Sequence, residues 1–165
     1  MTLNVHILRH AQSPMMGDDF DRPLSDKGVA DMVALAANKE NQKNCKIDYC
    51  FCSPARRTRK TLQVITQNGF GDIKAEYPEL LYNAPAGMLY EVIKRADQAH
   101  KSVLVVAHNP GVYDLAVFLA KPEESADFRF GYKPGTLTSL QFDCDGWGAI
   151  QPHSGTVKNI LIPNG

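Results

Sequence analysis

Two histidines and several arginines of this sequence stand in four short segments whose composition suits phosphoryl chemistry. The segments are Arg9-His10, residues 22–25 (RPLS), residues 53–57 (SPARR) and residues 108–111 (HNPG). Guanidinium groups keep their charge at any working pH and present a fork of donors that matches phosphate oxygens. A neutral imidazole can attack phosphorus and form a covalent intermediate, so this chemistry requires neither a metal nor a cofactor. The pattern predicts a phosphate site with a histidine nucleophile.

The segments lie where predicted strands end or predicted helices begin. Apolar runs predict strands over 3–8, 47–52, 73–77 and 102–107, and helices are predicted to start near Ser25, Ser53 and Pro85 and to cover 112–119. In the tail, 136–142, 148–151 and 157–162 are predicted as short strands and 121–134 as a long surface loop. This alternation predicts a single three-layer α/β/α domain over residues 1–165 with a mostly parallel sheet. Because ligands bind beyond the carboxyl ends of parallel strands, the four segments should meet there.

Composition excludes several other classes of protein. The chain has 165 residues and a formal net charge of zero, from 18 basic and 18 acidic residues, which does not favour a nucleic-acid partner. The apolar N-terminal stretch is too short for a signal peptide or a membrane span. The cysteines, which lack the spacing of zinc ligands, are Cys45, Cys50, Cys52 and Cys144. We therefore expect buried reduced thiols and a cytoplasmic protein.

Taken one at a time, the same residues have ordinary structural interpretations. An arginine after a strand is usually solvated, and His6, in the middle of the first predicted strand, is expected to be structural. Ser53 is a helix N-cap by residue type. The basic residues that follow could simply form a solvated helix face: Arg56, Arg57, Arg59 and Lys60. The joint pattern is much harder to dismiss than any single residue.

The four segments resemble the motifs of the histidine phosphatase superfamily, also called the phosphoglycerate-mutase-like superfamily. The matching stretches are LRHA (8–11, with Ala11 at the usual glycine), RPLSDKG (22–28), SPARRTRKT (53–61) and VVAHNPG (105–111). Each motif alone is weak, but together, in this order and in so short a chain, they are most similar to the phosphohistidine phosphatase (SixA-like) subgroup.

The resemblance implies a role for each residue of the site. His10 would be the nucleophile, and His108 would stabilise the phosphoryl group in transfer. The catalytic set is His10, His108, Arg9 and Arg57, and the phosphate-binding set is Arg9, Arg22, Arg57, His108 and Asn109, with no metal. Spacing from Ser53 selects Arg57 rather than Arg56 as the phosphate arginine. Ala11 in place of glycine would be strained if the position needed a positive φ.

The usual proton donor of the family has no clear counterpart. Mutase-like members use a glutamate beyond the third strand, and acid-phosphatase members use an aspartate directly after the second histidine. Here Asn109 follows His108, and Glu79 is interpreted as the end of a strand. An alkyl ester needs a protonated leaving oxygen, whereas the imidazole that leaves a phosphohistidine, with a pKa of ~6.5, can carry its own proton. Loop aspartates that could still donate are Asp18, Asp19 and Asp21.

These observations favour a phosphatase for phosphohistidine on a protein, such as a phosphorelay domain, with inorganic phosphate as product. The short connections between the motifs suggest an open site that a protein side chain could enter. One alternative is a phosphomonoesterase or mutase-like enzyme for a small phosphorylated metabolite, in which a loop aspartate donates the proton. An alternative of another class is a non-catalytic phosphate-binding module.

Overall fold

A six-stranded sheet runs through the middle of the protein, seen in a computed structural model that describes residues 1–129 and 131–164. Its strands are β1 (Thr2–Arg9), β2 (Tyr49–Cys52), β3 (Lys74–Glu76), β4 (Ser102–Ala107), β5 (Leu137–Asp143) and β6 (Thr156–Leu161). The strand order is β3-β2-β4-β1-β5-β6. Neighbouring strands from β3 to β1 pair in parallel, and β5 pairs antiparallel with both β1 and β6, so β5 alone runs in the opposite direction. The predicted mostly parallel sheet is confirmed.

Helices cover both faces of this sheet. They are α1 (Asp26–Ala37), α2 (Lys39–Asn44), α3 (Arg56–Ile65), α4 (Ala86–Lys94) and α5 (Gly111–Leu119). The helices α1 and α3 pack together on one face and α4 and α5 on the other, which gives the three predicted layers. The short helix α2 was not predicted, because its polar sequence buries no residue and it is held by the Asn38 side chain, which accepts hydrogen bonds at its first turn.

The central strand β4 shows how the core fixes the sheet. Its side chains alternate between the two faces, so that Val103 and Val105 join the core under α4 and α5 while Leu104 and Val106 join the core under α1 and α3. All four are fully buried, and each such side chain contributes roughly 1.5–3 kcal/mol of burial free energy. The end of β4, where the second histidine motif begins, therefore has a rigid base.

The tail and the cysteines differ in part from expectation. Residues 148–151 do not form a strand, since a 3-10 turn covers Trp147–Ala149. The reason is Trp147, which is fully buried and donates its indole N–H to the carbonyl of His100. The long loop contains a 3-10 segment, Pro122–Phe128. All the cysteines are free, but Cys144 is only half-buried.

No helix in the described parts of the chain has both the length and the apolar composition needed to cross a bilayer.

Candidate active site

The predicted site residues meet at the carboxyl ends of three neighbouring strands. The His10 amide donates to the Ala107 carbonyl at 3.1 Å, and the Ser53 amide donates to the Val106 carbonyl at 2.9 Å, so the segments after β1, β2 and β4 lie side by side. They border a cavity of about 330 Å³. Its lining includes every residue that the sequence predicts for the site: Arg9, His10, Arg22, Arg57, His108 and Asn109.

The ring of His10 is held with one nitrogen ready to react. Its Nδ1 lies 2.7 Å from the carbonyl oxygen of Ala11. A carbonyl only accepts hydrogen bonds, so Nδ1 carries the proton and Nε2 keeps its lone pair. The side chain is 8% exposed, and the pKa of His10 is lowered to about 4 by burial, with further lowering from Arg57 and Arg9. At neutral pH the imidazole is thus an uncharged nucleophile.

The ring of His108 lies beside that of His10, with 5.4 Å between the ring centroids. Arg57 Nη2 donates to His108 Nδ1 at 3.1 Å, so the proton of the neutral ring sits on Nε2 and is donated to Ser53 Oγ at 2.7 Å. Burial, and after it Arg57, lowers the pKa of His108 to about 3. The edge of His108 that carries Nδ1 lies beside the guanidinium of Arg57.

The contact with Ser53 corrects the prediction that this serine caps a helix. The helix α3 begins at Arg56 after Ala55, and its N-terminus has no side-chain cap. The Ser53 hydroxyl is occupied by His108 instead, and the Ser53 carbonyl accepts the hydroxyl of Thr58. A serine that sequence reasoning assigned to the helix therefore orients the second histidine.

The helical register of α3 places Arg57 in the site and Arg56 outside it. Arg57 is 2% exposed and reaches His108, whereas Arg56 is exposed. One turn later, Thr61 Oγ1 donates to the Arg57 carbonyl at 2.7 Å and accepts the amide of Ala11 at 3.0 Å. Thr61 thus connects α3, which carries Arg57, to the segment after His10 through two hydrogen bonds.

Asp19, one of the three loop aspartates named from the sequence, bridges two of the arginines. Asp19 Oδ1 accepts from Arg22 Nε at 3.1 Å, and its Oδ2 lies 3.3 Å from Arg57 Nη2 and also accepts the Tyr82 hydroxyl. The pKa of Asp19 is lowered to about 2, first by the Tyr82 hydrogen bond and then by Arg57. Of the three candidate loop aspartates only Asp19 lines the cavity, and it is ionised at neutral pH.

Arg9 and Asn109 approach the cavity from the ends of β1 and β4. Arg9 Nη1 and the Asn109 amide nitrogen both donate to the Tyr132 carbonyl, at 2.7 and 3.1 Å. The Nε–H groups of Arg9 and Arg57 are buried and have no hydrogen-bond partner among the described residues. Both arginines also line the cavity, where their guanidinium groups provide positive charge for an anion.

The sequence motifs around the site also have steric reasons. A Cβ at Gly28 would lie 2.4 Å from the Gln12 carbonyl, so only glycine lets α1 pack against the segment after His10. Ser25 caps α1, as predicted, by accepting from the Gly28 amide. Ala11 is fully buried and is not among the residues with positive φ, so its replacement of the family glycine causes no backbone strain.

Buried histidines make the folded protein sensitive to acid. The pKa of His6 and that of His10 are lowered from 6.5 to about 4, and that of His108 to about 3, in each case chiefly by burial. His6 is structural, as expected, since it lies in β1 and hydrogen-bonds the hydroxyls of Ser139 and Ser102 at 2.7 and 2.9 Å. These rings are neutral in the folded protein at neutral pH.

We expect the free energy of unfolding to fall as the pH drops from about 6.5 toward 4. In that window the unfolded chain has protonated these histidines and the folded chain has not, so unfolding takes up protons. Above pH 6.5 the neutral histidines contribute their full share to the free energy of unfolding. At pH 5 that free energy is lower by about 2 kcal/mol for each histidine whose folded pKa is about 4. Urea denaturation at pH 7 and pH 5 measures this loss, which should be smaller in His10→Ala. Equal stability at both pH values would contradict it.

Comparison with known proteins agrees with this geometry. The sequence model of the histidine phosphatase superfamily (branch 1) matches residues 5–82. An uncharacterized protein of Mycobacterium tuberculosis is 36% identical over 162 residues, which cover 94% of this chain and 99% of that relative. Sequence similarity therefore extends through both histidine segments and into the tail.

Solved structures are similar along almost the whole chain. A protein of Nakamurella multipartitia, provisionally designated phosphohistidine phosphatase SixA, has a TM-score of 0.85 at 21% identity, covering 99% of this chain and 97% of its own. One of Agrobacterium tumefaciens with the same provisional designation has a TM-score of 0.78 at 24% identity, covering 98% and 99%. A protein histidine phosphatase SixA complexed with tungstate has a TM-score of 0.74 at 22% identity, covering 96% of each chain. These similarities establish a phosphoglycerate-mutase-like fold.

The sequence-model match and the 36% identical relative point to one family, and the fold and the meeting of both histidine segments at one cavity are consistent with it. The chain belongs to the histidine phosphatase superfamily (branch 1).

Proposed function

We propose that the protein is a phosphatase that works through a phosphorylated His10 and removes the phosphoryl group from phosphohistidine on a protein. The observation that supports a phosphorylated His10 is the tautomer of its ring. Because Nδ1–H donates to the Ala11 carbonyl, Nε2 has a free lone pair. Arginines in the same cavity supply positive charge for the phosphoryl oxygens. The tungstate complex of a SixA protein supports an oxyanion site in this fold.

The proposed reaction is two displacements at phosphorus. In the first, the His10 Nε2 lone pair forms an N–P bond while the N–P bond of the substrate breaks. The electron pair of the broken bond stays on the departing ring, which leaves as neutral imidazole because its other nitrogen already carries a proton. In the second, water forms a P–O bond, the electron pair of the enzyme N–P bond returns to Nε2, and inorganic phosphate leaves with the protons of the water shared between product and solvent. Catalysis is then mainly positioning and charge neutralisation.

The arginines and His108 stabilise the phosphoryl group during both displacements. Arg9 and Arg57 line the cavity together with His10, and their guanidinium groups would donate to the phosphoryl oxygens. His108 is neutral in the empty site, where its Nδ1 accepts from Arg57 Nη2. A bound phosphoryl group would draw Arg57 Nη2 onto one of its oxygens, and its negative charge would then favour protonation of Nδ1, which donates to another. The Nε2–H bond to Ser53 stays the same in both states. We also assign Arg22 and Asn109, which line the cavity, to binding the phosphoryl oxygens.

The state of Asp19 favours phosphohistidine as the substrate. It is the sole carboxylate among the described residues that line the cavity, and it is ionised because Tyr82 and Arg57 lower its pKa to about 2. An ionised carboxylate has no proton to give to an alkoxide leaving group. A phosphohistidine avoids that requirement, because the other nitrogen of its ring, with an ordinary imidazole pKa of ~6.5, can take up a proton from solvent before the N–P bond breaks, and the ring then leaves as neutral imidazole.

We expect the enzyme to hydrolyse a phosphohistidine peptide at least about tenfold faster, in kcat/KM, than a simple alkyl phosphate, since general acid catalysis for the ester is typically worth ~10²–10⁴-fold. Phosphate release from both substrates, measured side by side, tests this. EDTA should leave both rates unchanged, because a cavity lined by several guanidinium groups repels cations. Activity that EDTA removes and zinc or magnesium restores would contradict the metal-free mechanism.

A second candidate function is a phosphomonoesterase for a small metabolite, which the position of Asp19 in the cavity favours. A bound phosphoryl group would take over Arg22 and Arg57, and an Asp19 released from them would have a higher pKa and could donate a proton. Asp19→Asn distinguishes the two. If alkyl phosphate is the better substrate and this variant loses its turnover, the phosphomonoesterase is the correct function.

The same proposal places the protein in the cytoplasm, a reducing compartment that suits its free cysteines.

A further inference from the structure

The exposed side of α3 carries cations that the proposed active site does not use. Arg56, Arg59 and Lys60 are exposed, and together with Gln63 and Tyr77 they line a groove of about 490 Å³, which we name the basic groove. Positions three and four residues apart share one face of a helix, so these side chains form a continuous exposed stripe. The groove lies outside the cavity that contains His10 and is lined by different residues.

The positive charge of the basic groove is not neutralised within the described residues. No carboxylate oxygen among residues 1–129 and 131–164 lies within 4.0 Å of its cationic groups. Lys60 Nζ donates to Gln63 Oε1 at 3.0 Å and Arg56 Nη1 donates to the main-chain carbonyl of Asp21 at 3.3 Å, and both acceptors are neutral. In a chain with a formal net charge of zero, this patch is a local positive field that attracts anions.

A chain of contacts through Phe20 and Tyr82 connects the basic groove with the active site. The Arg56 amide donates to the Phe20 carbonyl at 3.0 Å, and the Phe20 ring packs edge-on against Tyr82 at 5.1 Å. Tyr82 in turn contacts the ring of His108 at 5.7 Å. Lys60 lies three residues beyond Arg57 on α3, a rise of about 4.5 Å. A ligand whose phosphoryl group reached His108 would extend past Phe20 into the groove.

The side chains around this path have the composition of a protein-binding surface. Tyr77 is 45% exposed and Phe20 is 37% exposed. Exposed aromatic rings next to arginines are typical of protein interfaces, where they supply most of the binding free energy. A small phosphorylated metabolite would end within the cavity, so the groove fits a substrate with its own surface.

We propose that the basic groove docks an acidic surface of the protein that carries the phosphohistidine. This inference rests on the proposed function, because only a protein substrate brings carboxylates along with its phosphoryl group. Glutamates or aspartates within about three residues, or ~10 Å, of the phosphohistidine can reach Arg59 and Lys60. Exposed charges of this kind orient the partner and accelerate association, and added salt weakens them.

Two peptides and a charge-reversal variant test the docking surface. One peptide has phosphohistidine flanked on both sides by three glutamates, and the other has serines in the same places. We expect the wild-type protein to favour the acidic peptide by about tenfold in kcat/KM at low salt and less at high salt. In Arg59→Glu/Lys60→Glu the ratio should fall to about one or below. The serine peptide serves within each variant as the check that the active site is intact.

The control variant, Lys39→Glu/Lys43→Glu, changes the net charge by the same amount as Arg59→Glu/Lys60→Glu. Both lysines are exposed on α2 and line neither the groove nor the cavity, so the preference should persist. If the reversal variant does not fold, Arg59→Gln/Lys60→Gln takes its place, with the expected ratio again near one. Turnover of both peptides at equal rates by the wild-type protein, or an unchanged ratio in the variants, overturns the docking surface while the proposed function stands. Failure to hydrolyse either peptide overturns the proposed function and the docking surface together.

Discussion

Replacing His10 with alanine is expected to abolish phosphate release, with a loss of roughly 10⁴-fold or more in kcat. The variant keeps the arginines, but it has no nitrogen that can form the N–P bond, and loss of a nucleophile is not compensated by the rest of a site that acts as a unit. Phosphate release from a phosphohistidine peptide measures the loss. Alkaline quenching preserves an N–P bond, so mass spectrometry of the wild-type protein should show a phosphoryl group on the peptide that contains His10.

The fold should survive this substitution. The variant loses one hydrogen bond to the Ala11 carbonyl, but it also removes a buried imidazole, so we expect the free energy of unfolding to change by about 1 kcal/mol or less at pH 7. His153→Asn is a matched control, because His153 is exposed and its φ of 57° is one that asparagine tolerates. Turnover retained in His10→Ala, or a phosphoryl group found on another residue, would show that the nucleophile lies elsewhere.

The parts of this molecule that could be predicted from sequence are those that depend on neighbours along the chain. The largely apolar runs 3–8 and 102–107 end directly before Arg9-His10 and His108-Asn109, so the positions of the two histidines follow once the sheet is parallel. The choice of Arg57 over Arg56 rests on the spacing from Ser53, and in the structure Arg57 is buried while Arg56 is exposed. Local pattern was sufficient in each case.

The parts that could not be predicted depend on contacts between distant segments. The Tyr82 hydroxyl meets Asp19 across 63 residues of chain, and both lie in loops without apolar periodicity. Ser53 is a good helix cap by residue type, and only the fold decides that its hydroxyl is needed by His108. Residues 148–151 are a short run next to glycine-containing connections, which predicted a strand, but the burial of Trp147 turns the chain there.

Arg57 lies at the centre of the electrostatics of the site. Its guanidinium contacts His108 and Asp19, and its buried Nε–H has no partner among the described residues. It also contributes to the lowered pKa of His10 and of His108, after burial in both cases. One side chain therefore holds a donor for the phosphoryl oxygens and helps to keep the nucleophile uncharged.

Arg57→Ala should lower kcat/KM for the serine-flanked phosphohistidine peptide by about 10³-fold, because a preorganised cationic donor to the phosphoryl oxygens is lost. Arg57→Lys should recover little, since an ammonium group cannot reproduce the planar fork. In Arg57→Ala the pKa of His10 should also rise toward 6.5, so the acid limb of the kcat/KM profile should move to higher pH. Arg56→Ala, one residue away on the exposed face, should cost less than about tenfold. A larger loss in Arg56→Ala, or an unmoved acid limb in Arg57→Ala, would mean that Arg57 does not face the reacting phosphoryl group as its contacts with His108 imply.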